Sequence, residues 1–315
     1  MTRAVEVTGV PRAAPGNQRL PSPLRYPGAK RQLVRMFNEL LLDRPARTFV
    51  EPFAGGASIG LHVAVNGLAE KVVLGEADEL LYAFWATACA EPEWLIDVIQ
   101  SIPVTVENWE RFKANPGSTT RDRATSCLFL NRTSFSGILH WRAGPIGGRK
   151  QQSKYKIDCR FPRDEIARRV KAVGELAASG RIADVVKGDY QDVLGVAKRQ
   201  YGPELLLYLD PPFFAKAQTL YRLSFEQSDH KRLADYLLGC SIPWVLSYDY
   251  HPAIEDLYST PLVVLPTDEA DAPAFKHRLG RLTLNYSAHS RRGSGSEYIV
   301  TNIPRLLEYR GVSSD

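Results

Sequence analysis

The chain has 315 residues, of which 44% are hydrophobic and 24% charged, and a formal net charge of +5. That balance fits one large or two interleaved globular domains and tilts only mildly toward anionic partners. Four scattered cysteines (Cys89, Cys127, Cys159, Cys240) with no CxxC pair, and six histidines without ligand spacing, argue against a metal and for a reduced, cytoplasmic setting.

No run approaches the ~20 apolar residues a membrane span needs, and the start shows no secretory pattern. Residues 1–20 are rich in Pro, Ala, Arg and Gly and read as a flexible arm. Pro23-Leu24-Arg25-Tyr26-Pro27-Gly28-Ala29-Lys30 follows, then an apolar-periodic helix near Gln32–Leu42. Thr48-Phe49-Val50 is a buried strand that runs into Glu51-Pro52-Phe53-Ala54-Gly55-Gly56-Ala57-Ser58 and a helix to Asn66. A second strand, Lys71–Leu74, leads to Glu76 and Asp78. Strand, glycine loop, helix, strand and acid make up a nucleotide-binding βαβ unit.

From about Leu80 to Leu176 the pattern is mostly helical: Leu80–Cys89, Pro92–Ile99, Asn108–Lys113, Thr120–Leu130 and Asp164–Ala178. A Gly-rich, basic loop, Ser136–Cys159, interrupts it. Strand and helix signals then alternate: Ile182–Val186, Asp192–Lys198, Leu205–Leu209, Asp229–Leu238 and Trp244–Ser247. Arg281–Tyr286 and Glu297–Thr301 flank a turn at Arg291–Ser296 and read as a hairpin. The organisation expected is an α/β domain from residues 21–80 and 180–310, with residues 81–179 inserted.

The glycine loop matches neither the dinucleotide fingerprint nor the P-loop, and the acid ahead of it, Glu51, suits a cationic ligand better than a phosphate. Asp210-Pro211-Pro212-Phe213 closes the strongest apolar strand. Two prolines restrict the turn, so a carboxylate and an aromatic ring are presented together, an arrangement that grips a flat ring bearing an amine. The basic residues of the loop, Arg142, Arg149, Lys150 and Lys154 among them, fit either a solvated surface or nucleic-acid contact.

Taken in order, these segments resemble the Dam-type, D12-class DNA adenine-N6 methyltransferases of the alpha group, over nearly all of residues 21–304. PLRYPGAK is similar to the family's PLRYPGGK, EPFAGGA to EPFxGGG, Asn131-Arg132-Thr133-Ser134-Phe135-Ser136-Gly137 to NRxxFNG, and DPPF to [DN]PP[YFW]. Gly188-Asp189-Tyr190, Phe225–His230 and Glu297–Asn302 match further family elements.

The resemblance implies a Rossmann-like class I sheet with an inserted helical target-recognition domain, and S-adenosylmethionine as cofactor. It implies that Tyr26 and Lys30 lie near the cofactor's amino-acid end, that Glu51 and the Gly55-Gly56 backbone hold the methionine moiety, Glu76 the ribose, and Asp189 with Tyr190 the adenine, with Phe53 a further cofactor contact. Asp210, Pro211, Pro212 and Phe213 would present the N6 amine of an adenine flipped out of duplex DNA, with Asp210 also bordering the cofactor. Arg132, Phe135, Ser136, His140, Arg142, Arg149, Lys150 and Lys154 would face the DNA.

Ala57 stands where the family often has glycine. Ser136, His140 and Trp141-Arg142 depart from the Dam pattern NRxxxNGLxRYN, which puts a GATC target in doubt. A bacterial or phage enzyme, with or without a cognate restriction endonuclease, is the setting implied. A catalytically silent DNA-binding protein of the same fold and an RNA or protein-amide methyltransferase are the alternatives. Oligomeric state is left open.

Overall fold

The computed structural model describes residues 18–25, 30, 33–214, 222–249, 251–259, 278–286, 293–303 and 306. Seven strands form one sheet in the order β3-β2-β1-β4-β5-β7-β6. They are β1 (Ala46–Glu51), β2 (Ala69–Glu76), β3 (Ile182–Lys187), β4 (Leu205–Leu209), β5 (Trp244–Asp249), β6 (Arg278–Tyr286) and β7 (Gly293–Thr301). β1 to β5 pair in parallel, while β7 runs antiparallel to both β5 and β6. The order reverses between β1 and β4. In a doubly wound sheet this switch point opens a crevice at the carboxyl ends of the strands.

Side chains alternate across the central strands, as the two-residue strand period dictates. Phe49, Val72, Leu206 and Val245 face one core, while Val50, Val73, Leu207 and Leu246 face the other. Buried on both faces, β4 reads Leu-Leu-Leu-Tyr-Leu with no polar interruption but the tyrosine hydroxyl.

The helices are α1 (Val34–Asp43), α2 (Ser58–Asn66), α3 (Glu79–Ala90), α4 (Pro92–Ser101), α5 (Val106–Ala114), α6 (Thr120–Thr133), α7 (Arg163–Ala178), α8 (Tyr190–Tyr201), α9 (Gln227–Leu238) and α10 (Pro252–Ser259). Five of them, α3 to α7, lie between β2 and β3. Their apolar residues, such as Leu95, Trp109, Phe129 and Ile166, continue the core under Phe49 and Val72. The inserted stretch therefore shares the sheet's core instead of burying a second one.

Several helices begin on acids. Asp78 caps α3, Asp189 and Asp192 form a capping box on α8, and Glu226 and Asp229 form another on α9. Of the expected turn at Arg291–Ser296, Gly293–Ser296 belong to β7, and Arg291 and Arg292 lie outside the described residues. So do Tyr26 and residues 1–17 of the arm. Sequence pattern does not predict α10, because Pro252–Ser259 carries only two fully buried apolar side chains, Ile254 and Tyr258.

Candidate active site

The strand ends at the switch point carry the acids. β1 ends on Glu51, β2 on Glu76, and Asp210 follows β4. All three line one cleft, together with the loop Phe53–Ser58, Asp78, Tyr208, Pro212, Arg222 and Phe225. Gly137 and Leu139 reach the same cleft from the insert.

Glu51 is buried, and its Oε2 accepts the Gly60 N–H at 2.8 Å. Burial pushes its carboxyl well above the ordinary carboxylate range, and the nearby charges of Asp210 and Glu76 push the same way against that hydrogen bond. Gly60 is the space Glu51 occupies: a Cβ there would meet Oε2 at 2.4 Å and Leu74 Cδ2 at 2.8 Å. Gly60→Ala should therefore destabilise the protein by about 1–3 kcal/mol despite alanine's better helix propensity. A urea midpoint equal to or above the wild type's would contradict that geometry.

Glu76 holds the glycine loop in place. It accepts the Gly55 N–H at 2.9 Å and the Asp78 N–H at 3.1 Å. Trp85 Nε1 donates to the Gly55 carbonyl at 2.9 Å from the other side. Gly55 and Ala57 both adopt φ of +47°. The alanine thus occupies a left-handed position where glycine is the unstrained residue.

Burial, then the Asp78 charge, raise the Glu76 carboxyl to about 7, with the N–H donors of Asp78 and Gly55 opposing. The folded ligand-free protein therefore holds this proton more tightly than the unfolded chain does. Its contribution to stability is complete below the ordinary carboxylate range and is lost as pH rises through about 7. Urea unfolding at pH 5 and pH 8 should show this loss in the wild type and a smaller one in Glu76→Gln. Equal slopes in the two proteins would contradict it.

Asp210 is oriented from below. Tyr208 OH and Ser247 Oγ are 3.0 Å apart, and Ser247 Oγ donates to Asp210 Oδ1 at 2.9 Å. Lys30 Nζ lies 3.3 Å from the same oxygen and 5.4 Å from the Phe213 ring centroid. Lys30 is only 2% exposed and is absent from the cleft lining. Phe214 turns inward: its N–H donates to Asp249 Oδ1 at 2.9 Å and its ring packs on His230 and His251.

Other anticipated residues lie elsewhere. Asp189 Oδ1 accepts the N–H groups of Gln191 and Asp192, and Tyr190 is buried between Phe53 and Tyr236. Neither lines the cleft, although Tyr190 backs Phe53, which does. Asn131 accepts the Arg25 N–H and donates to the Arg25 and Gly137 carbonyls, clamping the chain before α1 to the insert. Arg132 is buried and donates to the Arg160 and Pro23 carbonyls. Burial and the neighbouring arginines lower it to about 10. Its guanidinium is turned into the fold, onto backbone carbonyls. His140 is also buried, its carbonyl accepting from Lys113 Nζ at 2.7 Å.

The surface of the insert carries the remainder. Phe135 is 61% and Trp141 70% exposed, and the Arg142 guanidinium lies 4.8 Å from a Trp141 ring centroid. Ser136, beside Phe135, has φ of +55°. Lys150 and Lys154 are exposed, and Arg149 is paired with Glu110 at 3.2 Å. Asp78, the second acid that follows β2, lines the cleft beside Glu76, whereas Tyr208, Arg222 and Leu139 are cleft residues that sequence pattern does not single out, since each is one polar or apolar residue in an ordinary strand or loop. Among the described residues no group of His, Cys, Asp and Glu is placed to hold a metal ion, and no helix is long and apolar enough to cross a membrane.

A doubly wound sheet with an antiparallel β7 between β5 and β6, and an acidic glycine cleft at its switch point, is a Rossmann-like methyltransferase fold. Residues 26–270 match the profile of the D12 class N6 adenine-specific DNA methyltransferases, and the chain belongs to that family. The family's reaction, methylation of adenine N6 in DNA, is this chain's, and S-adenosylmethionine is the methyl donor it implies. No curated protein sequence matches the chain. Among solved structures, it is similar to the rRNA methyltransferase aviRa from Streptomyces viridochromogenes. The two share 13% identity over 95% of this chain and 91% of that one, with a TM-score of 0.33.

Proposed function

We propose that the switch-point cleft holds S-adenosylmethionine between Glu51, Glu76 and the Phe53–Ala57 loop, and that Asp210 and Phe213 present a flipped-out adenine beside it. The observation that carries this reading is the convergence of Glu51, Glu76 and Asp210 on one cleft. With Asp78, four carboxyl groups among the described residues face that space, and a single guanidinium, Arg222, lines it. Two of those carboxyls are pushed toward the protonated form by burial and by neighbouring acids. A ligand carrying an ammonium and a sulfonium relieves that repulsion, whereas a phosphate-rich dinucleotide would add to it.

Bound there, the cofactor supplies an electrophilic methyl group. The chain's own work is positional and electrostatic. Adenine N6 is a poor nucleophile because its lone pair is delocalised into the ring. Asp210 and the Pro211 carbonyl, accepting the two N6–H groups, favour a more pyramidal nitrogen with a more available lone pair. Ser247 and Lys30 fix the carboxylate that does this. Phe213 stacks on the extruded base and Pro212 stiffens the turn. The proton lost from nitrogen leaves by way of Asp210 to solvent, which the carboxylate meets at 26% exposure.

The basic, aromatic surface of the insert fits the DNA side. Phosphate oxygens take most contacts from a surface of this kind, which Arg142, Lys150 and Lys154 supply, with Phe135 and Ser136 nearest the cleft through Gly137. Arg142→Ala should weaken duplex binding and reduce the slope of log affinity against log salt by about 1, the signature of one lost phosphate contact. An unchanged slope and affinity would remove Arg142 from the interface. The whole reading is tested by long-read sequencing of DNA from cells expressing the protein. Adenine N6 methylation in a fixed sequence context supports it, and unmodified adenine defeats it.

A further inference from the structure

Residues 222–225 form the wall of the cleft that faces the glycine loop: Arg222, Leu223 and Phe225 all line it. Phe225 packs on His230 behind it, with ring centroids 5.2 Å apart, and two contacts tie this wall to the facing side of the cleft. Phe225 packs edge-on against Phe53, with ring centroids 5.7 Å apart. Arg222 Nη1 reaches across to Asp78 Oδ1 at 3.1 Å. The same carboxylate oxygen already accepts the Leu80 N–H at 2.8 Å and the Leu81 N–H at 3.4 Å as the cap of α3.

The Asp78 side chain is 7% exposed and that of Arg222 35%. The helix N-terminus already compensates the carboxylate, so the arginine is not needed to make burial of Asp78 tolerable. Nor does a fixed cation in this cleft attract a cationic ligand; its charge opposes one. What the guanidinium does supply is a charge-assisted, partly desolvated bond between two walls that the ring contact also joins.

We propose that Arg222 is a positioning residue of the methyl-donor site. By gripping Asp78 across the cleft it holds Leu223 and Phe225 against bound cofactor and sets how fast cofactor leaves. The inference rests on the cofactor reading above and adds a residue that no motif of the chain contains. It also makes retention of the donor depend on a segment that follows the Asp210–Phe214 loop in the chain, close to where the target base is presented.

The test measures S-adenosylmethionine affinity by calorimetry and its release rate by stopped flow. The proteins compared are wild type, Arg222→Ala, Arg222→Lys, Asp78→Asn and the Arg222→Ala/Asp78→Asn double variant. Asparagine is as good an N-cap as aspartate, so Asp78→Asn keeps α3 while removing the charge that Arg222 grips. Each of Arg222→Ala and Asp78→Asn should weaken binding roughly 10-fold, chiefly through faster release. Arg222→Lys should recover part of the loss. The double variant should be little worse than either single one, because both break the same bond.

The loss should fall on the KM for S-adenosylmethionine more than on kcat at saturating cofactor, since the contact is not made by the reacting atoms. Unchanged affinity and release in Arg222→Ala would overturn the inference. So would additive losses in the double variant, or a change confined to the KM for DNA, which would make Arg222 a DNA contact. Should Arg222→Ala fail to fold by circular dichroism, Arg222→Lys and Asp78→Asn decide the question: unchanged affinity and release in both would overturn the inference equally. A wild-type protein that binds no S-adenosylmethionine defeats the cofactor reading itself and this inference with it.

Discussion

Asp210→Ala is expected to lower methyl transfer by about 10²–10³-fold or more while duplex DNA binding stays near the wild-type level. Removing one preorganised hydrogen-bonding group from a reacting centre typically costs that much, and Asp210 is the acceptor that the surrounding network serves. Tyr208 braces Ser247, Ser247 donates to Asp210 and Lys30 sits on the same oxygen, so three residues on three segments spend their polar groups on one carboxylate. Asp210→Asn keeps the shape and one acceptor but loses the charge and the Lys30 ion pair; its rate should fall between those of Asp210→Ala and the wild type. Ser247→Ala, which frees the carboxylate to rotate, should cost less than either. Single-turnover rates at saturating cofactor and DNA measure the chemical step alone. A variant lacking Asp210 that turns over near the wild-type rate would contradict the assignment.

Glu51→Ala should weaken S-adenosylmethionine binding by about 2–4 kcal/mol, the usual cost of truncating one partner of a buried charged pair. The pH dependence carries more information. Without ligand, burial and like charge hold Glu51 and Glu76 toward their neutral forms. A cationic ligand favours the ionised forms, so binding must release protons and affinity must rise as pH increases through the range where these groups titrate. Glu51→Gln should release fewer protons than the wild type. Calorimetry in two buffers of different ionisation enthalpy counts them. Proton uptake on binding, or an affinity that falls as pH rises, would show that the ligand in the cleft is not a cation.

The central sheet and the three acids of the cleft were legible in the sequence for a physical reason. A strand buried on both faces must be continuously apolar, so Thr48–Val50 and Leu205–Leu209 stand out, and a polar residue at the end of such a run must lie at the rim of the sheet. Glu51, Glu76 and Asp210 all meet that condition. What pattern cannot distinguish is a carboxylate that meets a ligand from one that caps a helix, since both follow a strand and precede an apolar-periodic run. Asp78 and Asp189 are both caps, yet Asp78 also lines the cleft and Asp189 does not.

Basic residues present the same ambiguity. Arg132 and Arg142 are both arginines of one insert, but one is folded inward onto the carbonyls of Pro23 and Arg160 while the other lies on the surface over Trp141. That difference comes from long-range packing, which spacing does not encode. Ala57 is the opposite case. Its left-handed dihedrals are a local property, and glycine is the residue expected there.

The most direct measurement is a crystal structure of the protein with sinefungin, a stable analogue of the methyl donor, and duplex DNA containing the methylated site. Sinefungin is expected in the switch-point cleft against Glu51 and Glu76. The target adenine is expected outside the helix stack, with its N6 within hydrogen-bonding distance of Asp210 and roughly 3–3.5 Å from the position of the transferred methyl. Sinefungin bound away from that cleft, or an adenine still stacked in the duplex with Asp210 facing solvent, would contradict the assignment of both sites.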